Sequence, residues 1–427
     1  MLLLLLCTAV SLCAWPALTG DPLLDDLQMV PLRRPFPRAD IFSPPHRWQP
    51  PVEISFQATA ALAPGSFVTA VLLHHLLSLA LYLLAIALLL QLLRARHPGD
   101  RVHPWHAFVL GAFALHPSLV ESFGHLSARG EALAVAALAA LALALEHRYT
   151  ALGAIFTLLG IVASPGLGPA AAALALAAAL EPSSPRARRA ALALALGALL
   201  ATVVAFGVRP TLAHLALWAG RVPRAVSIAT RALLVPTETA LRLPHWELSL
   251  PLTPAEGLTA ALPLLVSVFL WRRGARGAAV LVLGAVLSVL PLVLRADTLA
   301  YGFDRYLAGA AGLLTVAILR APPPAWIHAL SAATRTLVAG CALALLLLLG
   351  SMARQTATGF TSDAHQLDAM TQMRPRDPSG HLRNAWFAAR TGDVMTARRA
   401  LHNTRRRPLT PAMNDIVQSI AAQVRER

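Results

Sequence analysis

Eleven apolar stretches, separated by short loops that carry arginine, constrain this chain more than any other feature. They lie near 1–18, 67–93, 104–117, 129–146, 150–163, 167–181, 190–208, 258–271, 277–294, 304–320 and 333–352. A helix that crosses a bilayer needs about 20 apolar residues, and fewer when terminal arginines reach back to the interface. The pattern predicts an all-α fold: a polytopic membrane helical bundle of about eleven spans. Only 13% of the residues are charged, against roughly 25% in soluble domains. A soluble core of such apolarity would expose large patches and aggregate. Ser164-Pro165-Gly166 interrupts one long apolar run. Proline lacks the N–H that the next turn needs, so the fifth and sixth spans are expected to be separate helices. Met1 to Leu18 lacks the basic start of a secretory leader, which favours an uncleaved first span over a signal peptide.

The net charge is +15, and all 36 basic residues of the Lys/Arg class are arginine. Their placement predicts the topology. Arg94, Arg96 and Arg101 follow the second span, Arg148 the fourth, Arg186, Arg188 and Arg189 the sixth, Arg272, Arg273 and Arg276 the eighth, and Arg320 and Arg335 the tenth. All fall on one side, which the positive-inside rule makes cytoplasmic. The other side then carries 19–66, 117–129, 209–257 and 295–304. Arginines spread through short loops between apolar spans do not form a nucleic-acid footprint. Within 209–257, Thr211 to Val235 is apolar but broken by Arg221, Arg224 and Arg231. It reads as an interfacial amphipathic helix or as a pair of partly inserted helices. Cys7, Cys13 and Cys341 have neither CxxC nor Cys/His spacing, so neither a disulfide framework nor a zinc site is expected. The polar stretch 353–427 has a helical pattern. In it Ala385, Ala388, Gly392-Asp393, Ala397 and Leu401 fit half a tetratricopeptide repeat or a generic helical hairpin.

Ionisable residues are costly at membrane depth, so clusters of them at span ends are functional-site hypotheses. His116, Glu121, Arg129 and Glu131 sit at the junction between the third and fourth spans. Asp21, Asp25 and Asp26 follow the first span, and Asp304-Arg305-Tyr306 lie at a further junction on the same side. A carboxylate pair can take a proton from a hydroxyl or hold a divalent cation. Arginine's planar fork matches phosphate oxygens. Alternatively, Arg129 and Arg305 anchor helix ends or pair with Glu121 and Asp304. His74 and His75, inside the second span, either line a polar cavity or are hydrogen-bonded core residues.

Taken in order, these elements resemble the polytopic glycosyltransferases that use lipid-linked sugars (GT-C fold). The likeness is nearest to the bacterial relatives of the membrane and tetratricopeptide-repeat O-mannosyltransferase group. Its carriers are Leu24-Asp25-Asp26, Arg47-Trp48-Gln49-Pro50, Leu72-Leu73-His74-His75 through Tyr82, His116-Pro117 with Glu121, Arg129 and Glu131, and Asp304-Arg305-Tyr306-Leu307. Where that group often has Lys-Glu after the fifth span, this chain has Ser164-Pro165.

The resemblance implies inverting transfer of a sugar from a polyprenyl-phosphate donor to an extracytoplasmic protein or glycan hydroxyl. Asp25, with Asp26 second, is then the general base. Arg129 and Arg305 neutralise the leaving phosphate, and Glu121 holds Arg129 or a sugar hydroxyl. His74, His116 and Glu131 complete the substrate-binding set. No cofactor is required, although the carboxylates are compatible with a divalent metal. The expected surroundings are the inner membrane and its lipid, with the first domain over 1–352 and the helical tail over 353–427 extracytoplasmic. Two rival readings are a catalytically degenerate scaffold of an envelope complex, and a transporter or lipid flippase.

Overall fold

The computed structural model describes residues 1–20, 50–63, 67–99, 102–124, 128–181, 184–206, 212–234, 252–288, 307–359, 361, 378–407, 409 and 411–425. Among them every regular element is a helix. In chain order these are α1 (Leu2–Leu18), α2 (Pro50–Leu62), α3 (Phe67–Arg96), α4 (Pro104–Ala114), α5 (Glu121–Gly124), α6 (Arg129–Glu146), α7 (Thr150–Ala163), α8 (Gly168–Leu180) and α9 (Pro185–Phe206). There follow α10 (Leu212–Leu234), α11 (Pro254–Arg272), α12 (Arg276–Leu287), α13 (Leu307–Arg320), α14 (Ala325–His328), α15 (Ala332–Thr358), α16 (Pro378–Thr391), α17 (Val394–Arg405) and α18 (Pro411–Arg425).

Each of the eleven apolar stretches carries a helix. Three helices are by themselves long and apolar enough to cross a membrane: 69–96 within α3, then α11 and α15. α4 and the segment Pro117–Gly124 pass the same test together, bent by 49°. The apolar helices α7, α8, α12 and α13 have only 12 to 14 residues. At 1.5 Å per residue, fourteen residues reach about 21 Å, short of the ~30 Å hydrocarbon core. α11 and α15 turn large apolar side chains outward, among them Leu258, Leu265, Phe269, Leu337 and Leu347. In water such surfaces would be aggregation sites.

The core forms around α6 and α8. Nearly every position of α8 is buried alanine or leucine, and small side chains let neighbouring helices approach closely. α9 and α12 pack against it. On α12, Gly284 meets Ala173 so closely that a Cβ there would overlap the alanine methyl. α3 and α7 flank α6, while α1 lies against α15. The expected break is present: α7 ends at Ala163, Ser164 is extended, Pro165–Leu167 forms one 3-10 turn, and α8 begins at Gly168.

Two stretches expected as outer loops carry helices. α2 lies within 19–66. α10 lies within 209–257 as one helix rather than a pair. It packs on α11, and Arg224 and Arg231 reach Glu256 at 3.1 and 3.9 Å. Glu256 also closes a capping box with Thr253 at the start of α11. In the tail, α16 and α17 form a hairpin around Ala385, Ala388, Ala397 and Leu401, and α18 covers it with Val417, Ile420 and Val424. Gly392 takes the left-handed turn (φ 86°) and Asp393 caps α17.

Candidate functional site

The N-terminal end of α6 places an arginine inside the protein. Arg129 is 0% exposed. Its Nε donates to Ser78 Oγ (3.3 Å) on α3. One terminal nitrogen donates to Ser55 Oγ (3.1 Å) and Thr59 Oγ1 (3.4 Å) on α2. The other donates to His74 Nδ1 (2.7 Å) and to the His74 carbonyl (2.9 Å). The Phe56 ring lies under the guanidinium, 4.4 Å from its carbon. The guanidinium is a planar fork of N–H donors, and each of its three nitrogens is engaged. The network therefore ties α2, α3 and α6 into one unit around a buried charge.

Local sequence explains why this geometry forms. Val52, Phe56 and Thr59 recur at helical spacing and bury one face of α2. His74 and Ser78 lie one turn apart on α3, and both are buried. Because Arg129 begins α6, its side chain emerges where the helix's own N–H groups are least paired. Gly130 follows because a Cβ at that position would stand 2.7 Å from the Ala163 carbonyl oxygen. Glu131 accepts a hydrogen bond from Ser164 Oγ at 3.0 Å, linking α6 to the break after α7.

The His-Pro dipeptide at 116–117 is a helix start. His116 Nδ1 accepts from the Ser118 amide (3.3 Å), and Pro117 opens the 3-10 turn Pro117–Leu119. With Nδ1 accepting, Nε2 carries the hydrogen and donates to the Leu233 carbonyl of α10 (3.2 Å). His103-Pro104 repeats the arrangement: His103 Nδ1 accepts from the Trp105 amide (3.1 Å) at the start of α4. The last carbonyls of α4, on Phe113 and Ala114, accept from the Tyr82 hydroxyl at 3.1 and 3.3 Å. Glu121 opens α5 and is 1% exposed. α5 packs between α3 and α6.

Of the residues singled out in the sequence, His74 and Arg129 are thus in direct contact. Glu131 lies two residues further along α6, facing Ser164 instead. His116 joins α10, and Glu121 is buried at the same junction. Asp21, Asp25, Asp26, Asp304, Arg305 and Tyr306 lie outside the described residues. Ser55, Phe56, Thr59 and Ser78 were not anticipated. The signal for the first three is the Val52-Phe56-Thr59 periodicity, obscured by the polar residues and the Pro50-Pro51 start around it. Ser78 stands one turn after His74 and could have been read from that spacing. Among the described residues no group of three or more His, Cys, Asp or Glu is placed to hold a metal ion. The three cysteines are free thiols.

Buried hydroxyls, an imidazole and a ring fix Arg129 without exposing it. A cation held this way sets the position of neighbouring helices, and its field extends through a medium of low effective dielectric. No protein-family model, no curated protein and no solved structure matches this chain.

Proposed function

We propose that this chain is a polytopic membrane glycosyltransferase of the GT-C kind. It moves a sugar from a polyprenyl-phosphate carrier to an acceptor hydroxyl on a protein or glycan outside the cytoplasm. The observation that carries the reading is the buried polar junction itself. Arg129, His74, Ser78 and Glu121 lie inside an otherwise apolar helical assembly, where polar groups are retained chiefly for function. Arg129 pins α2, the helix entered directly from the stretch that carries Asp25 and Asp26.

Asp25 is the general base and Asp26 its neighbour. The base takes the acceptor's proton as the acceptor oxygen attacks the anomeric carbon. The bond from that carbon to the phosphate oxygen breaks, its electron pair stays with the carrier phosphate, and the anomeric centre inverts. Arg305 neutralises the leaving phosphate. In this scheme Arg129 is a positioning residue, since its fork already meets acceptors of its own chain.

The apolar stretches act as about eleven spans. The arginine-rich helix ends face the cytoplasm and the tail lies outside. Asp25→Asn keeps size and most hydrogen bonding but cannot take a proton. It should lower turnover by about 10²-fold or more, the usual scale for a general base, with little change in donor binding. The assay is transfer by purified protein from a panel of carrier-linked sugars, run beside complementation in cells.

One observation favours a second reading, a non-catalytic scaffold. Arg129, Glu131 and His116 each serve a contact within the chain, with Ser164 as the partner of Glu131. No transfer from any donor, together with complementation by the Asp25→Asn/Asp26→Asn double variant, would establish the scaffold.

A further inference from the structure

The opposite end of α6 holds a different cluster. The C-terminal ends of α3, α6, α8 and α13 meet there. Glu146 accepts from Arg96 (3.1 Å) and Arg320 (3.2 Å). Glu181, the residue after α8, accepts from Arg96 (3.5 Å) and Arg320 (2.9 Å). Each of the four carboxylate oxygens thus receives one arginine N–H, and the two glutamates are neutralised by the two arginines. The cluster borders an open cleft of about 300 Å³, at the lower end of small-molecule sites. Arg148 and Thr150 also line it.

Two features of this cleft are unexplained by folding. Arg320 is 8% exposed at its side chain, yet its Nε has no hydrogen-bond partner among the described residues. Arg148, in the turn after α6, has its backbone held at φ 62°, a position that favours glycine. Its guanidinium makes no hydrogen bond or ion pair among the described residues. Strain kept at a residue that lines a cavity points to use of its side chain. The lining therefore has spare donors on Arg148 and Thr150. Its glutamate oxygens are already engaged, and one positive charge is left over.

We propose that this cleft binds a phosphate group, supplied by the headgroup of an acidic phospholipid. The surroundings favour a lipid source: Arg94, Arg186, Arg188 and Arg189 are exposed on the neighbouring turns of α3 and α9. Clustered arginines at a membrane surface attract anionic lipid. The site is separate from the sugar-transfer reading and stands whether or not that reading holds.

The test uses purified full-length protein titrated with dioctanoyl phosphatidylglycerol, dioctanoyl phosphatidylcholine and inorganic phosphate, with binding and thermal unfolding both recorded. Wild type should prefer phosphatidylglycerol over phosphatidylcholine. Arg148→Gly should weaken phosphatidylglycerol binding by about fivefold, the scale of one basic residue at an anionic surface. Its unfolding temperature should be unchanged or higher, because glycine suits the backbone. Arg148→Asn, which also tolerates a left-handed backbone, should behave alike. Saturable, Arg148-dependent binding of inorganic phosphate without lipid preference would uphold the phosphate site and assign it a soluble source. Equal binding of all three probes that is unchanged in both variants, or a phosphatidylglycerol preference that survives in both variants, would overturn the proposal.

Discussion

The two ends of α6, a helix of eighteen residues, hold arginine in opposite ways. At the N-terminal end Arg129 gives five hydrogen bonds to hydroxyls, an imidazole and a carbonyl, and is sealed from solvent. At the C-terminal end Arg96 and Arg320 share two glutamates beside an open cleft. A charge surrounded by oriented dipoles is fixed: moving it leaves several buried acceptors unpaired at once. Mutual ion pairs near solvent can exchange partners and are screened by salt. The sealed end therefore sets geometry, while the open end retains surplus charge.

Removing the sealed cation gives the largest expected effect. Arg129→Ala strips partners from Ser55, Thr59, Ser78 and His74 and leaves a void over the Phe56 ring. The expected loss is about 3–5 kcal/mol, the scale of large-to-small core changes with unsatisfied polar groups. Arg129→Lys keeps the charge but has three donors for five acceptors, so it should recover only part of the loss. Thermal unfolding of the purified protein measures both. A variant with wild-type stability would mean that the network is not what holds α2 to α3 and α6.

Arg320→Ala, at the open end, should cost less. Glu146 and Glu181 each lose one of two partners but keep Arg96 and access to the cleft. A loss of about 1–3 kcal/mol is expected, falling to about 0.5–1 kcal/mol for the more exposed Arg96→Ala. The contrast with the other end sharpens in salt. Raising sodium chloride from 0.1 to 1 M cuts the Debye length from about 10 to 3 Å. The Arg96→Ala deficit should shrink accordingly, while that of Arg129→Ala should not. Equal salt sensitivity at both ends would erase the distinction.

The helices were legible because apolar runs bounded by arginine and broken at Ser164-Pro165 carry their own ends. The amphipathic α10 was legible for the same reason, its arginines falling where Glu256 receives them. α2 was not. It is short and opens on Pro50-Pro51, and its polar residues Ser55 and Thr59 resemble loop until Arg129 supplies their partner. The site was legible as a set of residue types and misleading as geometry. His116-Pro117 stands out in a sequence as a motif, yet His103-Pro104 adopts the same cap, so the dipeptide alone marks a helix start. The pairing of Arg129 with His74 spans 55 residues, and nothing in either local sequence encodes it. The open cleft was not legible because its charges lie at the ends of four helices far apart in sequence.

Protonation separates the ends further. His97, His106, His103 and His328 form a chain of ring contacts, 4.7, 6.1 and 5.5 Å between centroids, beside the ends of α3 and α13. Burial, and then the nearby His328, hold the His103 imidazole below its ordinary value of 6.5. Below pH 6.5 the unfolded chain takes up a proton at this position before the native state does. Its contribution to stability is therefore complete above that pH and declines as pH falls. His103→Asn supplies a cap acceptor that does not titrate. Unfolding temperatures compared between pH 7.5 and 5.5 should show a shallower decline for the variant. Parallel curves would remove His103 from the account.

Arg148 gives the smallest expected change, and one of opposite sign. It occupies the left-handed position that Gly392 fills in the tail turn. A non-glycine residue there carries about 1–2 kcal/mol of steric cost. Glycine recovers that but adds backbone freedom to the unfolded chain, roughly 0.5–1 kcal/mol. Arg148→Gly should therefore stabilise by about 0.5 kcal/mol, and Gly392→Ala should do the reverse in the tail. Both are read as shifts in unfolding temperature without lipid. If Arg148→Gly destabilises instead, the arginine contributes to folding and the strain argument for the open end fails. If it stabilises, the open end keeps a residue that folding alone would replace, whereas Arg129 at the sealed end is what folding requires.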